Sequence, residues 1–416
     1  MLIADLHIHS KYSMATSRDM DIDHLTKSAK IKGVNLLATG DFTHPFWLNE
    51  LKNKLKPLNN GLFENDGILY ILSAEISNIF HRAGKLKKIH TELFAPSFEA
   101  VDKINKVLAK YGNLTADGRP TLTFDIKELV KAVLNVCPEC IFVPAHAWTP
   151  WFSVFGSNSG FDSIEECFQE QSKHIFAIET GLSSDPAMNW RISKLDTIGL
   201  ISNSDAHSPA KIGREANVFD IVPSFTELMN TIKKKDKTKF LYTIEFYPEE
   251  GKYHYDGHRN CKVCMAPQES IKVNNKCPVC GKLLTIGVVH RVEKLADRKE
   301  GEKPANFIPY KNLVSLGGII SEAIGKAPGT IAVANEYNKI INAGENELNI
   351  LINLSEDNLY KIATPKIAEG IIRVRNGKIK IYPGHDGEYG KITIFTDDEV
   401  KDKVKEEKPK KQMSLF

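Results

Sequence analysis

Short apolar runs that each end in histidine, aspartate or glutamate constrain this chain more than anything else in it. Leu2–Leu6 is followed by His7 and His9 in D-L-H-I-H-S, and Leu36–Thr39 by Asp41 and His44 in T-G-D-F-T-H. Leu69–Glu75 ends on Glu75, Ile89–Ala95 opens with His90 beside it, and Ile141–Pro144 leads to His146. Ile175–Glu179 is a further run, and Leu200–Ser202 leads to Asp205 and His207. Read as strands, their side chains alternate, so His7 and His9 share one face and can grip one ion. Helical patterns fall between the runs, at Asp23–Lys32, Asp125–Asn135 and Ser163–Lys173. Strand and helix in repetition predict a parallel sheet or barrel over residues 1 to about 240. In a barrel of parallel strands the ends of the strands converge on one face. A single histidine near a strand end is ordinary. An H-x-H after the first strand and a D-x-H after the last, with ligands between, predict a metal site. Mixed imidazole and carboxylate ligands suit Zn, Mn or Fe and leave room for more than one ion.

The remaining chain reads differently. Six of the seven cysteines stand in C-x-x-C pairs: Cys137/Cys140, Cys261/Cys264 and Cys277/Cys280. The last two pairs give C-x2-C-x12-C-x2-C, with Gly281 allowing the turn after the second knuckle. Four thiolates at that spacing predict a closed structural zinc site at Cys261, Cys264, Cys277 and Cys280. His254, His258 and His290 lie close enough in sequence to compete as ligands. Cys137-Pro-Glu-Cys140 is a lone pair, read as ordinary buried or partly exposed cysteines, and Cys167 is read as core. With 416 residues, 42% hydrophobic and 26% charged, the chain suits two or three globular domains. We place them at 1–239 (the α/β domain), 240–291 (the zinc ribbon), 292–370 (helical) and 371–395 (short strands), with a flexible tail over 396–416. A net charge of only +3 neither demands nor excludes nucleic acid. Basic segments at Lys85–Lys88, Lys233–Lys239 and Lys408–Lys411 favour it; solvated surface charge is the bland alternative. No apolar run is long enough to span a membrane. The N-terminus reads directly as a first strand and not as a signal peptide, so a cytoplasmic protein is expected.

D-L-H-I-H-S, T-G-D, the Glu75 strand end, P-A-H and S-D-A-H resemble the four-motif signature of the PHP (polymerase and histidinol phosphatase) superfamily. That resemblance covers residues 1 to about 220. It implies an α/β fold, a distorted (β/α)7 barrel, with two or three divalent ions (Zn, Mg or Mn) at the strand ends, beside the one structural Zn of the ribbon. It further implies that His7, His9, Glu75 and Asp205 hold one ion. Glu75, His90 and His146 hold a second, with Glu75 bridging, and Asp41 or His44 helps His207 to hold a third. Many members carry His directly after the Asp of the second motif; here that position is Phe42, and His44 is the nearest replacement.

The chain also resembles, nearly end to end, one PHP family, endonuclease Q, a DNA-repair nuclease found mainly in archaea. The matching segments are H-I-H-S-K-Y-S, T-G-D, Gly181–Arg191, S-N-S-D-A-H-S-P, the four-cysteine ribbon, the helical segment and P-G-H-D-G-E-Y-G. Members cut DNA on the 5′ side of deaminated bases (uracil, hypoxanthine, xanthine) and of abasic sites, so damaged DNA is the implied partner. Reading one altered base requires extruding it from the stack. The resemblance makes Asp185 a catalytic candidate with Glu75 and Asp205; an N-cap role before Pro186 is its alternative. Trp148 and Arg191 are candidates for substrate binding, Trp148 within an aromatic cluster that either stacks on a base or packs the mouth of the fold. Gln412, Leu415 and Phe416 resemble the start of a motif that binds the sliding clamp (proliferating cell nuclear antigen). A PHP-type phosphatase acting on a small phosphomonoester is the competing enzyme reading. A non-catalytic zinc-ribbon nucleic-acid-binding protein is the third.

Overall fold

In the computed structural model, which describes residues 1–396, β1 (Leu2–Asp5) is buried along its whole length. A strand covered on both faces reads as a continuous apolar run, as this one does. It pairs in parallel with β2 (Leu36–Ala38), Ala4 facing Leu36. A small flap, β3 (Lys56–Pro57) and β4 (Phe63–Asn65), lies antiparallel against β5 (Ile68–Arg82), which runs parallel to β2. The chain then turns back as β6 (Lys85–Ala95), paired with β5 from Leu72 opposite Ala95 to Arg82 opposite Lys85. The two-residue turn is Ala83-Gly84, with φ of +50° and +74°. Positive φ at both positions matches the strand twist in a tight hairpin.

Next come β7 (Thr121–Leu122), parallel to β5, and β8 (Ile141–Pro144), antiparallel to β6. Phe142 bridges to Ile175, just before β9 (Ala177–Glu179), which pairs in parallel with β10 (Gly199–Ile201). The segment after β10 returns to the end of β1 through an Ile8–Ala206 bridge. β11 (Ala216–Phe219) and β12 (Phe240–Glu245) extend the sheet antiparallel on the far side of β1. The expectation of an all-parallel sheet is therefore corrected to a mixed one. A two-residue turn leaves no chain for a crossover, so β5 and β6 must run antiparallel. His90 accordingly lies inside a long strand and not at the start of a short one.

Residues of the central strands and the segments that follow them meet in one core, among them Ala4, Leu6, Ala38, Ile71, Phe94, Val143, Ala177 and Ile201. Helices pack outside it because each presents an apolar stripe at helical spacing. α1 (Ile22–Lys32), α2 (Pro45–Lys54), α3 (Phe98–Leu108) and α4 (Ile126–Leu134) come first. α3 buries Val101, Ile104 and Leu108, and α4 buries Leu129, Val130 and Val133. Asp21, Ser97 and Asp125 cap three of these helices by accepting a backbone N–H. The helix expected over Ser163–Lys173 is shorter: α5 (Ile164–Phe168) gives way to a 3-10 turn at Gln169, whose φ is +48°. α6 (Pro186–Trp190) and α7 (Phe225–Lys234) complete this part.

The cysteine-rich segment holds β13 (Asp256–His258), β14 (Val263–Met265), α8 (Pro267–Lys272) and α9 (Val288–Leu295), and β15 (Tyr310–Asn312) joins β12 in parallel. Residues 1–312 and 383–390 form one compact unit. The Pro383–Gly390 segment belongs to it: Gly384 N donates to Glu249 O at 2.8 Å, and the Asp386 carboxylate accepts from Arg259 N at 2.7 Å.

The second unit comprises Leu313–Tyr382 and the described residues from Lys391 on. It contains α10 (Leu316–Ile324), α11 (Ile331–Gly344), α12 (Glu356–Ile362), α13 (Pro365–Arg375) and a small hairpin of β16 (Lys380–Tyr382) with β17 (Lys391–Thr393). Ile371–Arg375, expected as strand, is the last turn of α13. The Asn376-Gly377 pair ends that helix, with Gly377 at φ +64°. The Arg375 guanidinium donates to the carbonyls of Ile350, Leu351 and Leu354 at 2.6–2.8 Å. No described helix is long and apolar enough to cross a membrane.

Candidate metal centre

His7 and His9 follow β1 on one face, as alternation requires, and both are fully buried. His7 Nε2 lies 3.8 Å from Glu75 Oε2 and 3.7 Å from Asp205 Oδ1; His9 Nε2 lies 3.3 Å and 3.1 Å from the same two atoms. The other oxygen of Glu75 faces the opposite way: Oε1 is 2.7 Å from His90 Nδ1 and 3.0 Å from His146 Nε2. His9, Asp205 and His207 bring a third set of ligand atoms together. Ligand bonds of about 2.1 Å around a tetrahedral ion put neighbouring donors about 3.4 Å apart, which is the spacing seen here. His7 Nε2, His9 Nε2, Asp205 Oδ1 and both oxygens of Glu92 are buried without a hydrogen-bond partner. Orphaned donors and acceptors facing one another are costly unless a cation joins them. The residues present therefore fit divalent ions.

Burial works against charge on all of these groups. It lowers His7 and His9, yet Glu179 beside one and Asp41 beside the other raise both well above the usual imidazole value. Burial raises Glu75, but its close neighbour His90 and the Arg119 guanidinium hold it well below the carboxylate range. Burial drives His90 down to about 4 and Glu92 up to about 8. Ion binding at His7 and His9 would therefore compete with protons.

Behind the ligand atoms stands an orienting layer. Glu179 accepts from His7 Nδ1 at 3.0 Å, from Asn203 Nδ2 at 2.9 Å and from the backbone N of His146 at 2.7 Å. Asp41 contacts His9 Nδ1 at 3.1 Å and accepts from Ser10 N, Ser10 Oγ and Ser13 Oγ at 2.7, 2.6 and 2.9 Å. Carboxylates in that position fix an imidazole's tautomer and raise its basicity as a ligand. Asp41, His146 and Asp205 all adopt positive φ, between +31° and +49°. Gly40 is required as glycine: a Cβ there would lie 2.2 Å from the carbonyl of Ile8.

Several expected site residues have partners elsewhere in the structure. Asp41 faces His9 Nδ1 and accepts from Ser10 and Ser13, and it is in none of the ligand groups found among the described residues. His44 stacks on Tyr12 at 4.4 Å between ring centroids and joins no ligand group. Asp185 caps α6, accepting from Met188 N at 2.8 Å, and is the N-cap that Pro186 suggests. Trp148 is buried and donates to Asn189 Oδ1 at 2.8 Å, so it packs the fold. Arg191 is held by Glu293 at 2.6 Å. Gln412, Leu415 and Phe416 lie outside the described residues.

Three residues not anticipated join the centre: Glu179, Glu92 and Arg119. Arg119 Nη1 donates to Glu75 Oε2 at 3.0 Å with its side chain 26% exposed, so it can also reach outward. Beside His146 a groove of about 770 Å³ opens, lined by Thr149, Trp151, Asn158, Tyr253, His290 and Lys294. Thr149 Oγ1 is 3.2 Å from His146 Nδ1, which joins the groove to the centre. Trp151 and Tyr253 are both exposed, with Lys88 Nζ 5.1 Å over the Trp151 ring.

The cysteine cluster has another character. His258, Cys261, Cys277 and Cys280 offer ligand atoms within 4.8 Å of one another, and Cys280 Sγ is 3.4 Å from His258 Nδ1. Cys264 is outside this group, exposed, with its thiol 3.8 Å from the carbonyl of Pro383. The spacing alone made Cys264 the fourth ligand; the geometry favours the competing histidine His258. Cys137 and Cys140 are buried, as is Cys167.

Fold and centre together define a mixed α/β protein equipped as a metal-dependent phosphodiester hydrolase. Comparison with known proteins agrees. The lesion-specific endonuclease PfuEndoQ of Pyrococcus furiosus superposes with a TM-score of 0.86 at 32% identity, over 98% of each chain. A second structure, endonuclease Q in complex with a 27-mer duplex substrate bearing an abasic lesion at the active site, gives 0.83 at 32% identity, over 96% of this chain and 98% of that one. Protein YqxK of Bacillus subtilis is 28% identical over 94% of this chain and 99% of its own length. MJ0043 of Methanocaldococcus jannaschii is 39% identical over 60% of this chain, a match that spans only 31% of that protein. Residues 315–378 match the MJ0043 C-terminal domain family. This chain belongs to the endonuclease Q family.

Proposed function

We propose that this chain is a DNA-repair endonuclease that hydrolyses the phosphodiester on the 5′ side of deaminated bases (uracil, hypoxanthine, xanthine) and of abasic sites. It would do so on a distorted (β/α)7 barrel carrying a zinc ribbon and a C-terminal helical domain. The observation that carries this reading is the end-to-end likeness to an endonuclease Q bound to lesion-bearing duplex DNA. The geometry of the centre supports it. His7, His9, Glu75 and Asp205 would hold one divalent ion; Glu75, His90 and His146 a second; His9, Asp205 and His207 a third. Glu75 is placed to bridge because its two oxygens face different imidazole pairs. Bound ions would supply a nucleophilic water of lowered pKa and would neutralise charge developing on the phosphate.

The chain's own groups do the positioning. Glu179 and Asp41 keep His7 and His9 aimed at the ions. Arg119, rigid and planar, offers donors to a non-bridging phosphate oxygen at the mouth of the centre. Trp151 and Tyr253 in the neighbouring groove offer faces on which a base can stack, a contribution of about 1–3 kcal/mol per base. Trp151 thus takes the role first considered for Trp148. His258, Cys261, Cys277 and Cys280 would hold the structural zinc. Gln412, Leu415 and Phe416 would contact the sliding clamp. The test is a panel of duplexes, each with one altered base, incubated with and without chelator. Metal-dependent nicking beside uracil, hypoxanthine, xanthine and abasic sites, with undamaged duplex intact, is the expected result. Hydrolysis of a phosphomonoester with no nicking of any duplex would replace this reading with the phosphatase one.

A further inference from the structure

Glu92 is the group in the centre that neither the motifs nor the ligand sets account for. It stands in β6 directly opposite Glu75 of β5, and its side chain is only 2% exposed. It follows His90 by two residues, so both side chains project from the same face of β6, as His7 and His9 do after β1. Oε1 lies 3.1 Å from His7 Nε2, the atom that also faces Glu75 and Asp205. Neither Glu92 oxygen has a hydrogen-bond partner. Its near neighbour His7 Nε2 is shared with Glu75 and Asp205, and a carboxylate enclosed beside two others on those terms is costly in a protein interior. Packing alone would favour a neutral or apolar side chain at this position.

We infer that Glu92 is a ligand of the ion held by His7, His9, Glu75 and Asp205. It brings an oxygen to the His7 side of that ion, away from the His90–His146 pair. This rests on the metal centre proposed above and extends it by one residue. A third carboxylate, after Glu75 and Asp205, makes the set more anionic, which favours a hard divalent ion that accepts more than four ligands.

Glu92→Gln keeps the side chain's size and removes its charge. In the full chain, we expect the affinity for cobalt(II) at the centre to fall at least about tenfold. Cobalt(II) is the probe because its visible bands report coordination number: loss of a ligand should strengthen and shift those assigned to the centre. The bands of cobalt bound to the cysteine cluster should be unchanged and serve as the internal reference. The metal-free variant should melt at or above the temperature of metal-free wild type, since its buried charge is gone. A variant that binds cobalt with wild-type affinity and an unchanged spectrum would overturn the inference. So would a metal-free variant that melts well below metal-free wild type, because Glu92 would then be structural. Failure of wild type itself to bind cobalt at the centre would instead strike at the metal reading as a whole, so the two failures are distinguishable. Glu92→Asp, which retracts the carboxylate by one methylene, should bind more tightly than Glu92→Gln and less tightly than wild type.

Discussion

The strand-end centre and the cysteine cluster are both metal-ligand sites, yet they are built in opposite ways. The first draws its ligands from five separate strands or strand ends, buries His7, His9, Glu75 and His90, and holds His7 and His9 with Glu179 and Asp41 from behind. The second draws all of its ligands from residues 258–280, on short turns with Cys280 exposed. One is shaped by a core that exists without the ion. The other is built on short turns, with the Pro383–Gly390 segment packed on it, and would need a bound ion to keep its shape. The difference teaches that a catalytic centre is pre-organised by its scaffold, whereas a structural site organises its surroundings.

The sharpest way to break this comparison is to remove charge from the strand-end centre. Glu75→Gln and Asp205→Asn should each slow cleavage of a uracil-containing duplex by about 10³-fold or more, roughly 4 kcal/mol of transition-state stabilisation. DNA affinity, measured in parallel, should change little, since it comes mainly from phosphate contacts. Wild-type cleavage by both variants would refute the proposed mechanism. The orienting layer should matter next. Asp41→Asn leaves every ligand atom in place, so ion affinity should drop by about 10–100-fold without abolishing binding. Metal titration of the variant decides this; no change would make Asp41 a packing residue only.

Smaller effects are expected at the cysteine cluster. Replacing Cys277 and Cys280 with Ser should release one zinc per chain and weaken DNA binding by about tenfold, while hydrolysis of a small phosphodiester persists. In chelator, limited proteolysis should cut first within residues 258–285 and spare the sheet of residues 1–245. Cys264→Ser should cost less zinc affinity than Cys261→Ser, because Cys264 stands outside the group formed by His258, Cys261, Cys277 and Cys280. Equal losses would restore the four-cysteine site.

The smallest effect on activity is predicted for Asp185, which lies beside the centre in sequence logic but caps α6 in space. Burial lifts its carboxyl from 3.8 to about 6. A carboxyl whose folded pKa exceeds its unfolded one costs nothing below pH 4, where both states are protonated. The penalty grows as pH rises toward 6 and is complete above it, at most about 3 kcal/mol. Asp185→Asn, which can still cap, should therefore melt higher than wild type at pH 8, with the gap closing at pH 4, and should cleave normally. A large loss of cleavage at unchanged stability would return Asp185 to the catalytic set.

The sequence by itself determined the residues whose partners are close in the chain. His7 with His9, Asp205 with His207, and Cys277 with Cys280 are set by the two-residue repeat of a strand or by a tight turn. Only the tertiary structure decided the rest. Glu92 stands two residues past His90, a signal that was there to be read, but its meaning depends on the hairpin register that sets it opposite Glu75. Glu179 reaches His7 across 172 residues of sequence, and Arg119 reaches Glu75 across 44. Asp41 and Glu75 look alike as strand-end carboxylates. What separates an orienting group from a ligand is which imidazole nitrogen each one faces, Nδ1 of His9 for Asp41 and Nε2 for Glu75. That choice is made by side-chain directions converging from non-adjacent strands, and no local pattern encodes it.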